Sequence, residues 1–290
     1  MIETFEKGRL LKSVTTFGIG GPADYFIEVK TITEMQEVLA FCYRLELPYF
    51  ILGKGSNVLF HDQGFHGLVI QNRIDFSDCK DEIWHIGAGY SFSLLGTQTA
   101  RKGFSGLEFA SGIPGSVGGA VFMNAGANGV ETNEALLSVD FVNEKGELIV
   151  FSKDELEFSY RFSSFHNMKG SIVGATFHLE KNSIAREKQL KIIHYRKRTQ
   201  PYNEKSAGCV FRNPLNGHAG ALIEQCGLKG KSHGTAQISD LHANFIINKG
   251  SAQSEDILKL IHDIIYEVKE KTGIELESEI RCIPYDPKKV

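Results

Sequence analysis

Apolar positions in the stretch up to residue 70 alternate between two periods. Residues 24–29, Asp-Tyr-Phe-Ile-Glu-Val, predict a strand. Thr33 stands where a helix cap would, with Gln36 three residues on, and Met35, Val38, Leu39 and Cys42 then recur at helical spacing. Short apolar runs at 48–52, ending at Gly53, and at 68–70 predict buried strands. Strand signals return at 83–86, 137–142, 147–151 and 171–179, and Glu144-Lys145-Gly146 predicts a hairpin turn between two of them. Beyond residue 199 the pattern changes. Residues 219–226 predict a short helix closed by Gly227. Ser254 predicts the cap of a longer helix with Ile257, Leu258, Ile261, Ile264, Ile265 and Val268 as its stripe and Gly273 at its end. A strand is expected over 274–283.

This order predicts an α+β protein in three parts. Residues 1–70 and 71–198 form two lobes of a cofactor region, and 199–290 form an α+β substrate lobe whose tail packs back on the first lobe. The chain of 290 residues, 42% hydrophobic and 23% charged, is long enough for cores of that number. A net charge of −3 and a pI near 6.4 argue against a nucleic-acid partner, which would need a basic face. The basic stretch 188–198 reads as the solvated side of a helix. The N-terminus, MIETFEKGRL, does not resemble a signal peptide, and no apolar run is long enough for a membrane span. Five scattered cysteines without a C-x-x-C pair argue against disulfides and zinc, and for a reducing cytoplasm; no metal is expected.

The candidate chemistry lies in the glycines. Backbone N–H groups in a tight glycine turn can hold a phosphate without a basic side chain. Gly18-Ile19-Gly20-Gly21-Pro22-Ala23 nominally fits the dinucleotide fingerprint, but a proline and a strand-like run follow where a helix is needed. Gly230-Lys231-Ser232 resembles the end of a P-loop, but Gln225 stands where that loop needs its first glycine. Two clusters remain. Gly53-Lys54-Gly55-Ser56-Asn57 follows a buried strand. Residues 106–127, GLEFASGIPGSVGGAVFMNAGA, are poor material for helix or strand, and predict a long irregular connection of the kind that usually has a function.

The pairing of G-x-G-S-N with G-L-E-F-A-x-G-I-P-G-S-V-G-G-A resembles the MurB family, UDP-N-acetylenolpyruvoylglucosamine reductase, from about Thr15 to Pro284. The resemblance implies a two-lobed FAD-binding domain of the PCMH (vanillyl-alcohol-oxidase-like) kind plus a C-terminal α+β substrate-binding domain. It implies that Gly53, Gly55, Ser56, Asn57, Gly112, Ile113, Pro114, Gly115, Ser116, Gly119 and Asn124 contact FAD, and that NADPH is the co-substrate. Three further segments match: Tyr160-Arg161-Phe162-Ser163, residues 206–214 (SAGCVFRNP) and residues 276–281 (LESEIR). They imply Arg161, Cys209 and Glu279 as the catalytic set. Asn213 is implied at the substrate, with Arg212, Tyr160 and the basic segment 196–198 as further candidates.

The implied substrate is an enolpyruvyl ether of UDP-N-acetylglucosamine, whose reduction gives UDP-N-acetylmuramate for peptidoglycan. Hydride from flavin N5 would add to the terminal carbon, and charge would build on the conjugated carboxylate. Arg161 would stabilise that charge. Cys209 would protonate the neighbouring carbon as a general acid. Glu279 would position the substrate or relay a proton. Cys209 stands where serine is frequent in the family, Arg212 replaces a common lysine, and Ser278 replaces a proline. The chain lacks the longer tyrosine-bearing insertion of one family subtype, and the resemblance implies the shorter one. The resemblance implies a cytoplasmic monomer. Rival readings are a PCMH-type flavin oxidoreductase with another substrate and a non-catalytic nucleotide-sugar-binding protein.

Overall fold

A computed structural model describes residues 2–215 and 217–284. The chain forms two compact units. One holds residues 27–54 and 68–196, and the other holds 1–26, 55–67 and 197–290. The chain passes between the two units four times. The expected break at 198 lies beside the last passage, between Arg196 and Lys197.

In the unit containing residues 27–54 and 68–196, α1 (Ile32–Arg44) buries Met35, Val38, Leu39 and Cys42, as its spacing predicts. Its cap is Thr31, two residues before the expected Thr33. The Thr31 hydroxyl accepts from Glu34 N at 3.1 Å, and the Glu34 carboxylate accepts from the N–H of Thr31 and of Lys30. A carboxylate beside the helix N-terminus makes stronger bonds than the amide of Gln36 would. The strand Tyr49–Leu52 runs parallel to Leu68–Gln71 of the strand Phe65–Asn72.

The same unit has a five-stranded antiparallel sheet. Its order is Leu148–Ser152, Leu136–Asn143, Gly170–His178, Ile83–Gly87 and Ser77–Lys80. The register aligns Val139, Ala175 and Ile86 across neighbouring strands. All three are fully buried, in a core with Trp84, Phe92, Leu95, Phe141, Phe165 and Phe177. Each aromatic ring buried there contributes on the order of 2–3 kcal/mol. The hairpin turn at 144–146 is present, with Gly146 at φ 85°.

The region predicted as irregular holds more structure than its composition suggests. α2 (Phe92–Arg101) lies just before it, capped by Ser91. Within it, α3 (Val117–Phe122) begins at Ser116, whose hydroxyl accepts from Gly119 N. A short α4 (Thr132–Ala135) follows the Glu131 hairpin. Serine capping and tertiary packing of Val117, Ala120 and Val121 override the low helix propensity of the glycines. α5 (Ala185–Thr199) buries only Ala185 and Gln189, matching the solvated basic face expected of it.

The unit containing the C-terminal residues has Glu6–Leu10 antiparallel to Pro22–Phe26 and a small sheet of Ser232–His233, Ala236–Ile238 and Ile246–Asn248. α6 (Ala219–Gln225) is followed by Gly227 at φ 75°. α7 (Ser254–Thr272) buries Ile257, Leu260, Ile261, Ile264 and Val268, while Leu258 and Ile265 are only partly covered. Its cap is Gln253, boxed with Asp256. The expected cap, Ser254, is the first helical residue, and its N–H and hydroxyl both donate to Asp62 Oδ2 at 2.6 Å. Phe17, Ile19 and Leu59 share a core with Val210, Phe211, Ile246, Leu276 and Ile280.

The strand expected over 274–283 shrinks to Arg281–Ile283, which pairs in parallel with Val58–Phe60. Upstream of it only Ser278 bridges a neighbour, Phe211. The Ser278 hydroxyl donates to the Ile280 carbonyl two residues on, a local bond that competes with a ladder. Both decoy motifs lack the helix their chemistry requires. A strand follows Gly21, and the strand Ser232–His233 follows Lys231, which is paired with Asp263 at 3.0 Å. No helix among the described residues is long and apolar enough to cross a membrane.

Candidate functional site

In the unit that carries the five-stranded sheet, the strand Tyr49–Leu52 delivers Gly53 to Ser116. A methyl group at Gly53 would collide with the Ser116 hydroxyl. Gly118 packs on Ala88, with room for no more than a hydrogen: a Cβ would lie 2.9 Å from the alanine methyl. The intervening turn is braced by backbone bonds from Phe92 N to Gly115 O and from Ile113 N to Ala110 O. Gly112, at φ 86°, donates to Ser93 Oγ at 2.7 Å and accepts from Arg196 Nη2 at 3.2 Å. Pro114 and Gly119 are exposed; Gly112, Ile113 and Gly115 are half-buried.

Gln71 is the residue that the sequence reading missed here. It is buried, and its Nε2 donates to Gly53 O at 3.3 Å. Its Oε1 is buried with no partner among the described residues. A buried, unsatisfied acceptor beside a backbone too crowded for side chains fits a hydrogen-bonding group of a bound cofactor. Lys54 adds a cation next to Gly53. Burial, and then the charge of Arg73, push its ammonium below the usual lysine range, while Asp75 works the other way. A polar glutamine inside a strand carries no sequence signal of this role.

Tyr160 and Arg161 form the turn between Phe158–Ser159 and Phe162–Ser163 of this unit. Arg161 lies in the left-handed region at φ 57°, its guanidinium 4.8 Å from the exposed Tyr160 ring, and its Nη2 donates to Gly126 O at 3.0 Å. Asn124, which the resemblance assigns to FAD, is fully buried. Its Nδ2 donates to Glu131 Oε2 and to Ser159 O, and its Oδ1 accepts from Asn133 N.

In the other unit, Gly55 is buried at φ 65°, and a Cβ on it would stand 2.8 Å from Thr15 Cα. Ser56 and Asn57 are half-buried. Asn57 Nδ2 donates to Glu279 O at 3.3 Å, and Asn57 O accepts from Arg281 N at 3.0 Å. The Cys209 and Glu279 segments lie side by side: Glu279 N donates to Val210 O at 2.7 Å, and Arg212 N to Glu277 O at 2.9 Å. Cys209 and Glu279 are both half-buried.

Asn244 clamps this pairing from behind and was also missed. It is buried, its Oδ1 accepts from Phe211 N at 2.9 Å, its Nδ2 donates to Phe211 O at 2.8 Å, and its carbonyl accepts from Val210 N. Arg212 pairs with Glu277 at 3.2 Å. Asn213 is exposed and its Oδ1 accepts from Ala219 N, the first N–H of α6. No group of His, Cys, Asp and Glu among the described residues could hold a metal ion.

Comparison with known proteins gives consistent results. Residues 23–152 match an FAD binding domain, and residues 200–283 match the UDP-N-acetylenolpyruvoylglucosamine reductase C-terminal domain. The UDP-N-acetylenolpyruvoylglucosamine reductase of Protochlamydia amoebophila is 65% identical, over 97% of this chain and 95% of that one. The Chlamydia pneumoniae protein of the same name is 49% identical, over 96% and 91%. The crystal structure of UDP-N-acetylenolpyruvylglucosamine reductase (MurB) from Thermus caldophilus superposes with a TM-score of 0.84 at 38% identity, covering 97% of this chain and 99% of that one.

Proposed function

This chain belongs to the UDP-N-acetylenolpyruvoylglucosamine reductase family, FAD-dependent oxidoreductases of peptidoglycan precursor synthesis, and we propose that Arg161, Cys209 and Glu279 divide its chemistry. The substrate is UDP-N-acetylglucosamine enolpyruvate, the product is UDP-N-acetylmuramate, and NADPH is the electron source. The protein works in the cytoplasm as a monomer of the shorter subtype.

The residues present fit FAD. Gly53 and Gly118 lie where side chains are excluded, Gly112, Gly115 and Ser116 build the braced turn beside them, and the orphaned Gln71 Oε1 awaits a donor. Ile113, Pro114 and Gly119 line the same turn, and Gly55, Ser56 and Asn57 continue the turn that begins at Gly53. FAD, when bound, carries the hydride from NADPH to the enolpyruvyl carbon.

The protein does the rest. Arg161 takes the substrate carboxylate and stabilises the charge that grows on it, an interaction stronger in the transition state than in the ground state. Cys209 gives its thiol proton to the adjacent carbon. Glu279 orients the substrate or passes the proton on. Arg212, Asn213 and Tyr160 serve the nucleotide-sugar end.

The pairing of the Cys209 and Glu279 segments, through Glu279 N to Val210 O, supports this reading most directly. Both groups come from the C-terminal part of the chain, which argues for the named substrate over that of another flavin oxidoreductase. Anaerobic stopped-flow absorbance tests it. Cys209→Ala keeps flavin bleaching by NADPH and slows reoxidation by UDP-N-acetylglucosamine enolpyruvate about 10²-fold or more. Wild-type reoxidation in that variant removes Cys209 as the proton donor.

A further inference from the structure

Arg161 sits in a two-residue turn on strands of two residues each. Such a hairpin is too short to hold a side chain still by its own ladder. It also holds a non-glycine residue at positive φ, which costs on the order of 1 kcal/mol or more and persists only where the surroundings enforce it. The surroundings here are the end of α3 and the hairpin Gly126–Ala127/Val130–Glu131.

Three bonds tie the turn to them. Ser163 Oγ donates to Phe122 O at 2.6 Å, Asn124 Nδ2 donates to Ser159 O at 3.0 Å, and Arg161 Nη2 donates to Gly126 O at 3.0 Å. Asn124 is the centre of this arrangement. Its second amide proton goes to Glu131 Oε2 at 2.7 Å, and its Oδ1 takes the Asn133 N–H at 3.1 Å. Glu131 in turn pairs across its hairpin with Gly126, the residue whose carbonyl receives Arg161. A Cβ on Gly126 would stand 2.9 Å from Glu131 Cγ, so the carboxylate side chain and that backbone are in close packing. The charged acceptor fixes which way the Asn124 amide faces, because a flipped amide would turn its oxygen onto a carboxylate. Asn124 itself is at φ 42°, a conformation asparagine tolerates better than most residues.

We propose that Asn124, oriented by Glu131, is a positioning residue that sets where Arg161 presents its guanidinium. The proposal rests on the reading of Arg161 as the group that takes the substrate carboxylate. Stabilising a developing charge requires the donors to be placed beforehand, and a misplacement of about 1 Å costs up to about 10²-fold in rate. Both amide protons of Asn124 and its oxygen are bonded within the protein, so it acts on the reaction through that placement.

Asn124→Asp tests it. The variant keeps size and tolerates positive φ, but sets a carboxylate against Glu131 and against the Ser159 carbonyl. Three quantities are measured in the full-length protein: FAD affinity of the apoprotein by fluorescence quenching, bleaching by NADPH, and reoxidation by UDP-N-acetylglucosamine enolpyruvate. The expected result is reoxidation slowed about tenfold or more, with FAD affinity and bleaching within about threefold. Adding Glu131→Gln, which can donate to the new carboxylate, is expected to restore part of the rate. Reoxidation at the parent rate overturns the proposal. A parallel fall in FAD affinity and both half-reactions also overturns it, since Asn124 then supports the cofactor site or the fold. Arg161→Ala serves as the control. If reoxidation survives in that variant, the reading of Arg161 fails and the positioning role falls with it; if only Asn124→Asp is silent, the positioning role alone is wrong.

Discussion

Gly53 and Ser116 approach so closely that no side chain fits between them, although they are far apart in sequence. Gly53→Ala must therefore displace Ser116 or the strand end before it. The expected outcome is a loss of FAD affinity of about tenfold or more, read by titrating apoprotein with FAD. Removing the hydroxyl should relieve part of it. Ser116→Ala alone loses a helix cap worth about 1 kcal/mol, but combined with Gly53→Ala it should cost less than the sum. Additive losses would show that the two residues do not meet.

Gln71 leads to a second prediction. Gln71→Leu removes the buried, unpaired acceptor and the donor to Gly53 O together. The apoprotein should unfold in urea at a similar concentration to wild type, because relief of the unsatisfied Oε1 offsets the Gly53 carbonyl left without its donor. FAD affinity should fall. A variant with weakened folding and unchanged FAD affinity would mean that Gln71 serves the strand and not the cofactor.

Asn244 should matter more for stability than its polarity suggests. Asn244→Ala leaves Phe211 N and O buried without their partners, a loss of about 2–4 kcal/mol in chemical unfolding. The Arg212–Glu277 pair offers the contrast. Glu277 is 71% exposed, so Glu277→Ala should change stability by less than about 1 kcal/mol.

Burial pushes the Cys42 thiol up to about 11 and, with help from Glu144 and Cys42, the Tyr49 hydroxyl up to about 12. Both groups are neutral in the folded and unfolded chain at neutral pH. Above pH 9 the unfolded chain ionises first, so the stability they contribute is complete below that pH and is lost as pH rises through the folded values. Urea unfolding should show stability falling from about pH 9 towards pH 11, and Cys42→Val should flatten that fall by about 1–2 kcal/mol. At pH 8 Cys42 should resist alkylation while the exposed Cys79 reacts.

The legible parts of this protein were those written in local periodicity. The buried face of α1, the stripe of α7 and four strands of the five-stranded sheet, all but Ser77–Lys80, are carried by spacing that one element can hold by itself. The helix caps were misplaced by one or two residues because the choice among Thr31, Thr33, Gln253 and Ser254 depends on partners such as Asp62, distant in sequence. α3 was hidden by its glycines. The proposed catalytic set rests on motif resemblance and not on spacing. What no local pattern could show was the set of long-range bonds: Gln71 under Gly53, Asn244 behind Phe211, and Asn124 donating to Ser159 O.

The parallel pairing of Val58–Phe60 with Arg281–Ile283 has a consequence for biosynthesis. The ribosome delivers the first of these strands early and its partner near the end. Phe17, Ile19 and Leu59 must likewise wait for Val210, Phe211, Ile246 and Ile280 before their core exists. Every segment of the other unit has been made by Arg196. Translation therefore favours a fixed order, with the unit of the five-stranded sheet folding on the nascent chain while the early apolar segments of its companion stay exposed until residues 197–283 have been made. Those segments are where a chaperone would find this protein.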